Sequence, residues 1–298
     1  MTDKKKIIRG SGGGGNPPPP RQPTRTPDTL HSKQFATFLD LISEGEIEGS
    51  ASASKEGITD NTSDAYRNAF LKDVFLNDTP VLKATASSSL PTTTDFNFPD
   101  FQFGNFKFKT GTANQTAIPG IENSSSITPV GVTVTKATPV TRQITNTDVD
   151  RIKVTITFPQ IQKATTEGDL LGSSVQLKIS VQYNSGGFTD VISDTITGRT
   201  ADAYQKDYSV DITGSFPVDI RVSRITDDST DSSLINAFQF TSFSEIIDDA
   251  NTYANSAYLS LRLDSQQFSS IPRRKFRIRG IKVRIPGAGA SGSGTPTV

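Results

Sequence analysis

The chain has few side chains whose types do chemistry unaided. Among 298 residues there is one histidine, His31, and there is no cysteine. The lack of cysteine removes disulfides, thiolate nucleophiles and cysteine-ligated metal sites. A lone histidine excludes a multi-histidine zinc site within one chain. A Ser-His-Asp arrangement would place its base in a Gly/Pro-rich leader, where nothing preorganises it. Carboxylate chemistry remains, but a glycosidase needs two acids facing each other across a cleft. No such pair stands out from ordinary surface acids. The sequence therefore argues for no catalytic residue, no metal ligand, no cofactor and no enzyme. The acidic run Asp227-Asp228-Ser229-Thr230-Asp231 lacks the spacing and central glycine of a calcium loop. It reads as a solvated loop rather than a cation site.

The densest charge is a basic stripe near the C-terminus: Arg273, Arg274, Lys275, Arg277, Arg279, Lys282 and Arg284. Apolar residues fall at Phe276 and Ile278, then at Ile281, Val283 and Ile285. Parity flips at Gly280, as at a β-bulge. Nucleic-acid contact is one reading of the stripe. With 31 Lys and Arg against 31 Asp and Glu, no net field supports that reading. The preferred reading is an edge face that resists aggregation, or an interface stripe that meets an acidic neighbouring subunit.

The elements that must position these groups read as strands. The chain is rich in Thr, Ser, Val, Ile and Phe, which favours an all-β protein. No apolar run reaches the length of a membrane span, and residues 1–15 lack the apolar core of a secretory signal. Residues 1–34 carry Lys4, Lys5, Lys6 and Arg9, four glycines and four prolines. They are expected to form a disordered arm, or a tether that orders against a partner. Next come Phe38, Leu39, Leu41 and Ile42, with Ser43-Glu44-Gly45 as a turn. Val74 to Leu76 reads as a strand, Asn77-Asp78 as a tight turn, and Pro80 to Leu82 as an edge strand. The pairs Phe96/Phe98, Phe101/Phe103 and Phe106/Phe108 keep period two, with Gly104-Asn105 suited to a hairpin or bulge. Their expected role is a core face, with a stacking platform for bases or sugars as the alternative. From about residue 132 to 225, short alternating strands separated by Gly/Asn/Asp turns suggest a sandwich of the immunoglobulin or fibronectin type.

Several phrases, in order, carry a resemblance. They are Ile42-Ser43-Glu44-Gly45 with Ile47-Glu48-Gly49; Leu76-Asn77-Asp78-Thr79-Pro80-Val81-Leu82; Gly111-Thr112 with Gln115 and Ile118-Pro119-Gly120; Thr138-Pro139-Val140-Thr141-Arg142-Gln143-Ile144 with Asp150-Arg151; Ser242-Phe243-Ser244-Glu245-Ile246-Ile247-Asp248; and Asp264-Ser265-Gln266-Gln267-Phe268. Over roughly residues 35–285 the chain resembles the N-terminal hub region of the tail-tip attachment, or host-specificity, protein J family of long-tailed, lambda-like bacteriophages.

The resemblance implies a β-barrel-like hub domain with an inserted β-sandwich. It also implies a homotrimer in the virion tail tip, made in the host cytoplasm, which closes the tail tube and contacts other tip proteins and the tape measure. Family members run several times longer, with their receptor-binding region far downstream, so contact with a host receptor is expected only indirectly or through further parts. The expected division is an arm at 1–34, hub parts at 35–131 and 244–286, a sandwich at 132–243 and a flexible tail at 287–298. No specific nucleic acid and no membrane span are expected. A receptor- or glycan-binding sandwich working as an adhesin is the alternative function.

Overall fold

A computed structural model of the chain describes residues 21–99, 101, 103–268 and 270–281, apart from the side chains of Phe103 and Ile281. Two separate hydrophobic cores organise these residues.

The larger core lies between two four-stranded antiparallel sheets. One runs in the order Thr189–Gly198, Ser173–Tyr183, Val218–Arg224, Val140–Ile144. The other runs Tyr204–Asp211, Arg151–Phe158, Gln239–Asp248, Glu122–Thr133. The alternation that predicts these strands is realised in the burial. In Arg151–Phe158, Ile152, Val154, Ile156 and Phe158 are fully buried, while the residues between them are half-exposed. Each such side chain contributes about 1.5–3 kcal/mol on leaving water. Asn184 and Ser185, at φ 43° and 60°, make the tight turn into Thr189–Gly198, where the sequence predicts a hairpin. Glu122–Thr133 differs from its neighbours: it is exposed along almost its whole length and pairs only with Gln239–Asp248.

The smaller core is built by chain on both sides of the sandwich. Phe35–Glu44 and Phe106–Thr110 each pair with Ser256–Asp264, one on either side of it. That central strand is buried on both faces: Leu259, Leu261 and Leu263 on one, Tyr258, Ser260 and Asp264 on the other. Val74–Leu76 pairs with Thr79–Pro80 through Asn77 and Asp78, at φ 48° and 66°, and with Arg274–Phe276 on its other side. Pro80, without an N–H, sits on the outermost strand. Ile47–Ser50 pairs with Ile278–Ile281. Two short helices complete the unit. In Ala51–Lys55 the Ser50 side chain caps the Ala53 amide, and in Asp64–Leu71 the Ser63 side chain caps that of Tyr66. The second helix packs Phe70 edge-on against Phe106, with ring centroids 5.3 Å apart.

The structure departs from the expectations in four places. The strands of the smaller core form open sheets, and no barrel closes among the described residues. One reason is that the C-terminal strand changes sheets at Arg277, serving Val74–Leu76 before it and Ile47–Ser50 after it. For the same reason there is no bulge at Gly280: the pairs Ile278↔Ser50, Arg279↔Gly49 and Ile281↔Ile47 run through it in unbroken register. In the phenylalanine stretch only Phe106–Thr110 is a strand. Gly104-Asn105 lies in the 3-10 turn Phe103–Asn105, not in a hairpin. Phe96, Phe101 and Phe106 are nevertheless buried, and Phe98 and Phe108 pack against the same core.

The fourth difference concerns residues 21–34, where composition argues for disorder. They lie along the sandwich. Arg21 and the Thr24 amide both reach the Asp169 carboxylate at 2.6 Å. The amides of Thr29 and Leu30 donate to the Arg199 carbonyl. Arg199, only 2% exposed, donates to the Thr26 carbonyl and to Asp28. Ser32 then bonds Gln205 of the sandwich and Gln266 of the flanking unit. Residues 1–20, together with Lys282, Arg284 and the 287–298 tail, lie outside the described residues.

Candidate functional site

The groups that the sequence marks out converge on the seam between the C-terminal strands and the start of the flanking unit. Its centre is Asp73, fully buried at the end of Asp64–Leu71 and its following turn. The carboxylate accepts from the Ser50 hydroxyl at 2.6 Å, the Ser52 amide at 2.7 Å and the Ser52 hydroxyl at 2.8 Å. Arg277 closes the cluster, its Nε donating to Asp73 Oδ1 at 2.8 Å. The Arg277 amide donates to the Asp73 carbonyl, so backbone and side chain are held together where the strand switches sheets. A buried carboxylate is tolerated only when donors surround it in this way.

The other bases of the stripe are paired along the same seam. Arg274 grips Asp40 with Nε and Nη2 at 2.6 and 2.8 Å and stacks over Phe38 at 4.4 Å. Arg273 and Lys275 both pair with Asp78. Arg279 pairs with Glu48 at 2.8 Å. The hydrogen bond from Lys275, with Arg273 beside it, holds the Asp78 carboxyl below its ordinary pKa. The bond from Asp40 holds Arg274 above its own. Every described base of the stripe therefore meets a carboxylate of its own chain.

The residues of the 42–49 phrase build the corner that this seam closes. Ile42 stands at a register break between Phe35–Glu44 and Ser256–Asp264 and packs against the smaller core. The Ser43 hydroxyl donates to the Glu44 carbonyl. Gly45, at φ 96°, donates its amide to the Asn255 carbonyl at 2.6 Å. Ile47 is 2% exposed, and Glu48 holds Arg279. At Gly49, with φ 125°, an added Cβ would lie 1.8 Å from the Tyr66 hydroxyl. That hydroxyl accepts from the Ser50 amide at 3.0 Å. Gln115 ties the far side of the corner, donating to the carbonyls of Thr252, Tyr253 and Ser256 while accepting from the Gly111 amide.

This arrangement is fitted to hold strands together. Ser50, Ser52 and Asp73 are at most 7% exposed, so no substrate reaches the two hydroxyls. The acidic loop is likewise absorbed locally. Asp227 pairs with Lys136, Asp228 with the buried Arg224, and Asp231 bonds Ser233. No cluster of metal-ligating side chains occurs among the described residues. Sequence reasoning missed the acidic halves of the seam, Asp40, Asp73 and Asp78, because they lie about two hundred residues before their bases. It also missed Arg199 and Arg224, whose burial has no local signature.

Comparison with known proteins agrees with these features. Residues 124–249 match a family model described as the FNIII-A domain of tip attachment protein J. The chain is 32% identical over 266 residues to the tip attachment protein J of Escherichia phage SECphi4, covering 89% of this chain and 21% of that protein. It is 25% identical over 218 residues to the protein of the same name from Escherichia phage SECphi27, covering 72% of this chain and 17% of that one. The chain thus spans about a fifth of the length of the curated relatives it matches.

Proposed function

The chain is related to the tip attachment protein J family of phages, and from that premise we propose that it is a structural component of the phage tail tip. The observation that carries this reading is the alignment over 89% of the chain, from the first flanking strands through the sandwich to the closing strands. We take the parts before and after the sandwich as one hub domain, here 35–131 and 244–286. The sandwich interrupts it between the paired ends Glu122 and Asp248. The hub closes the tail tube as a homotrimer and contacts neighbouring tip and tape-measure subunits. Receptor contact belongs to parts of the relatives that this chain does not span. The seam acts as an internal clamp, and its exposed rim, Arg273 and Lys275, is where an acidic neighbour would compete for Asp78.

Two measurements test this reading. Electron microscopy of virions carrying a tagged copy should place the tag at the tail tip. Sedimentation of the purified chain should show a trimer or a concentration-dependent approach to one. A stable monomer that binds glycans, with no tag in the virion, would favour the adhesin instead.

A further inference from the structure

A cleft of about 740 Å³ lies between the outer face of the sandwich sheet and the strand Phe35–Glu44. Its walls carry Lys33, Arg151, Lys153, Lys206 and Arg262, opposed by Glu122 and Asp207. A chain with no net charge thus concentrates a cationic excess in one place. Two of these bases are committed elsewhere: Arg151 is held by Asp248, and Lys206 by Asp194. Lys153 and Arg262 pair with no carboxylate among the described residues. The Arg262 guanidinium lies 4.2 Å from the centre of the Phe35 ring, which fixes its position and leaves its N–H fork unused. At the floor, Lys107 bonds the Pro119 carbonyl at 2.6 Å. Burial first, and then the nearby Arg151, push its pKa below the ordinary lysine value. An anion entering the cleft would relieve that unfavourable field.

The cleft is also apolar in alternation. Phe35 and Leu39, 42% and 40% exposed, flank Thr37 on one strand face. Phe35–Glu44 and Tyr204–Asp211 are each the outermost strand of their sheet, so each has a backbone edge without a strand partner. Neither terminal segment of the chain suits the charge. Residues 1–20 hold one acid, Asp3, against Lys4, Lys5, Lys6 and Arg9, and residues 282–298 hold Lys282 and Arg284 with no acidic side chain.

We propose that this cleft binds an extended acidic peptide segment of another protein, one that alternates carboxylates with apolar side chains. The carboxylates meet Lys153 and Arg262, and the apolar residues meet Phe35 and Leu39. Strand-like addition to an open edge supplies the backbone bonds. An anionic sugar fits less well: Arg262 already covers the Phe35 ring, and Tyr204 packs on Phe158 at 5.8 Å. The assignment goes beyond the tail-tip reading and stands without it.

The test uses the full chain and a fluorescent synthetic peptide that alternates glutamate with leucine or valine, followed by anisotropy. Lys153→Glu and Arg262→Glu, neither of which breaks an ion pair, are combined, with circular dichroism as the folding check and exposed Lys55→Glu as the control. Binding at low salt, weakened about tenfold or more by the double variant and by added salt but unchanged in the control, supports the proposal. Absence of binding by the unmodified chain, or indifference to the double variant, overturns it. Tighter binding of a sulfated oligosaccharide of equal charge overturns the peptide assignment in favour of an anionic glycan.

Discussion

Asp73 and Gly49 show what single residues decide in this fold. Replacing Asp73 with alanine leaves the Ser50 and Ser52 donors buried without an acceptor and deprives Arg277 of its partner. The expected loss is about 3 kcal/mol or more. Arg277→Ala should cost less, about 1 kcal/mol, because its guanidinium is 57% exposed and three donors still serve the carboxylate. Urea denaturation of the two variants checks the order; equal losses would mean that the serine bonds carry little. Gly49→Ala meets both a left-handed backbone and the Tyr66 hydroxyl. Removing that hydroxyl as well, in Gly49→Ala with Tyr66→Phe, should recover part of the loss, so the double variant should be more stable than the sum of the two single losses predicts. The glycine is legible in the sequence as a turn residue. The tyrosine that demands it, seventeen positions on, is not.

At the scale of elements, the seam and the seated arm share an acid sensitivity. Asp78 is held below its ordinary pKa by Lys275 and Arg273, and Asp169 by the Thr24 amide and Arg21. A carboxyl whose folded pKa lies below its unfolded value, about 3.9, contributes stability that is complete above that value. The contribution is lost as the pH falls through the folded pKa. The thermal midpoint should therefore drop between pH 5 and pH 3; a flat profile there would mean that these pairs are not formed in solution. The arm has a second test in Arg199→Ala, which should speed proteolysis within residues 21–34 by about tenfold, equivalent to roughly 1.4 kcal/mol of local opening. Elements were legible where alternation is strict, as in Arg151–Phe158, because period two needs no distant information. They were not legible where a partner decides. The helix Asp64–Leu71 is short and mixed in composition, so its periodicity is weak. The arm reads as disordered because composition does not reveal that Arg199 and Asp169 wait for it. The basic stripe shows its charge, but its carboxylates come from remote chain.

At the scale of the whole molecule, the sandwich leaves and rejoins the flanking unit at one place, with Glu122 directly opposite Asp248. Paired residues on adjacent antiparallel strands lie about 5 Å apart. The segment 122–249 should therefore fold when excised, with cooperative thermal unfolding by circular dichroism. Its midpoint should fall below that in the full chain, because Leu30 no longer packs on its core. Non-cooperative melting of the fragment would mean that the two cores depend on each other. This arrangement has a mechanical consequence. Force entering at Thr110 and leaving at Ser256 has two routes. One follows the covalent chain out through the sandwich and back. The other crosses directly, through the ladder in which Ala257 faces Thr110 and Leu261 faces Phe106. The direct route is short and stiff, so a pull on the flanking sheet is borne in shear by those backbone bonds. The sandwich hangs beside the load path as a passenger, and it feels tension only after the ladder has torn.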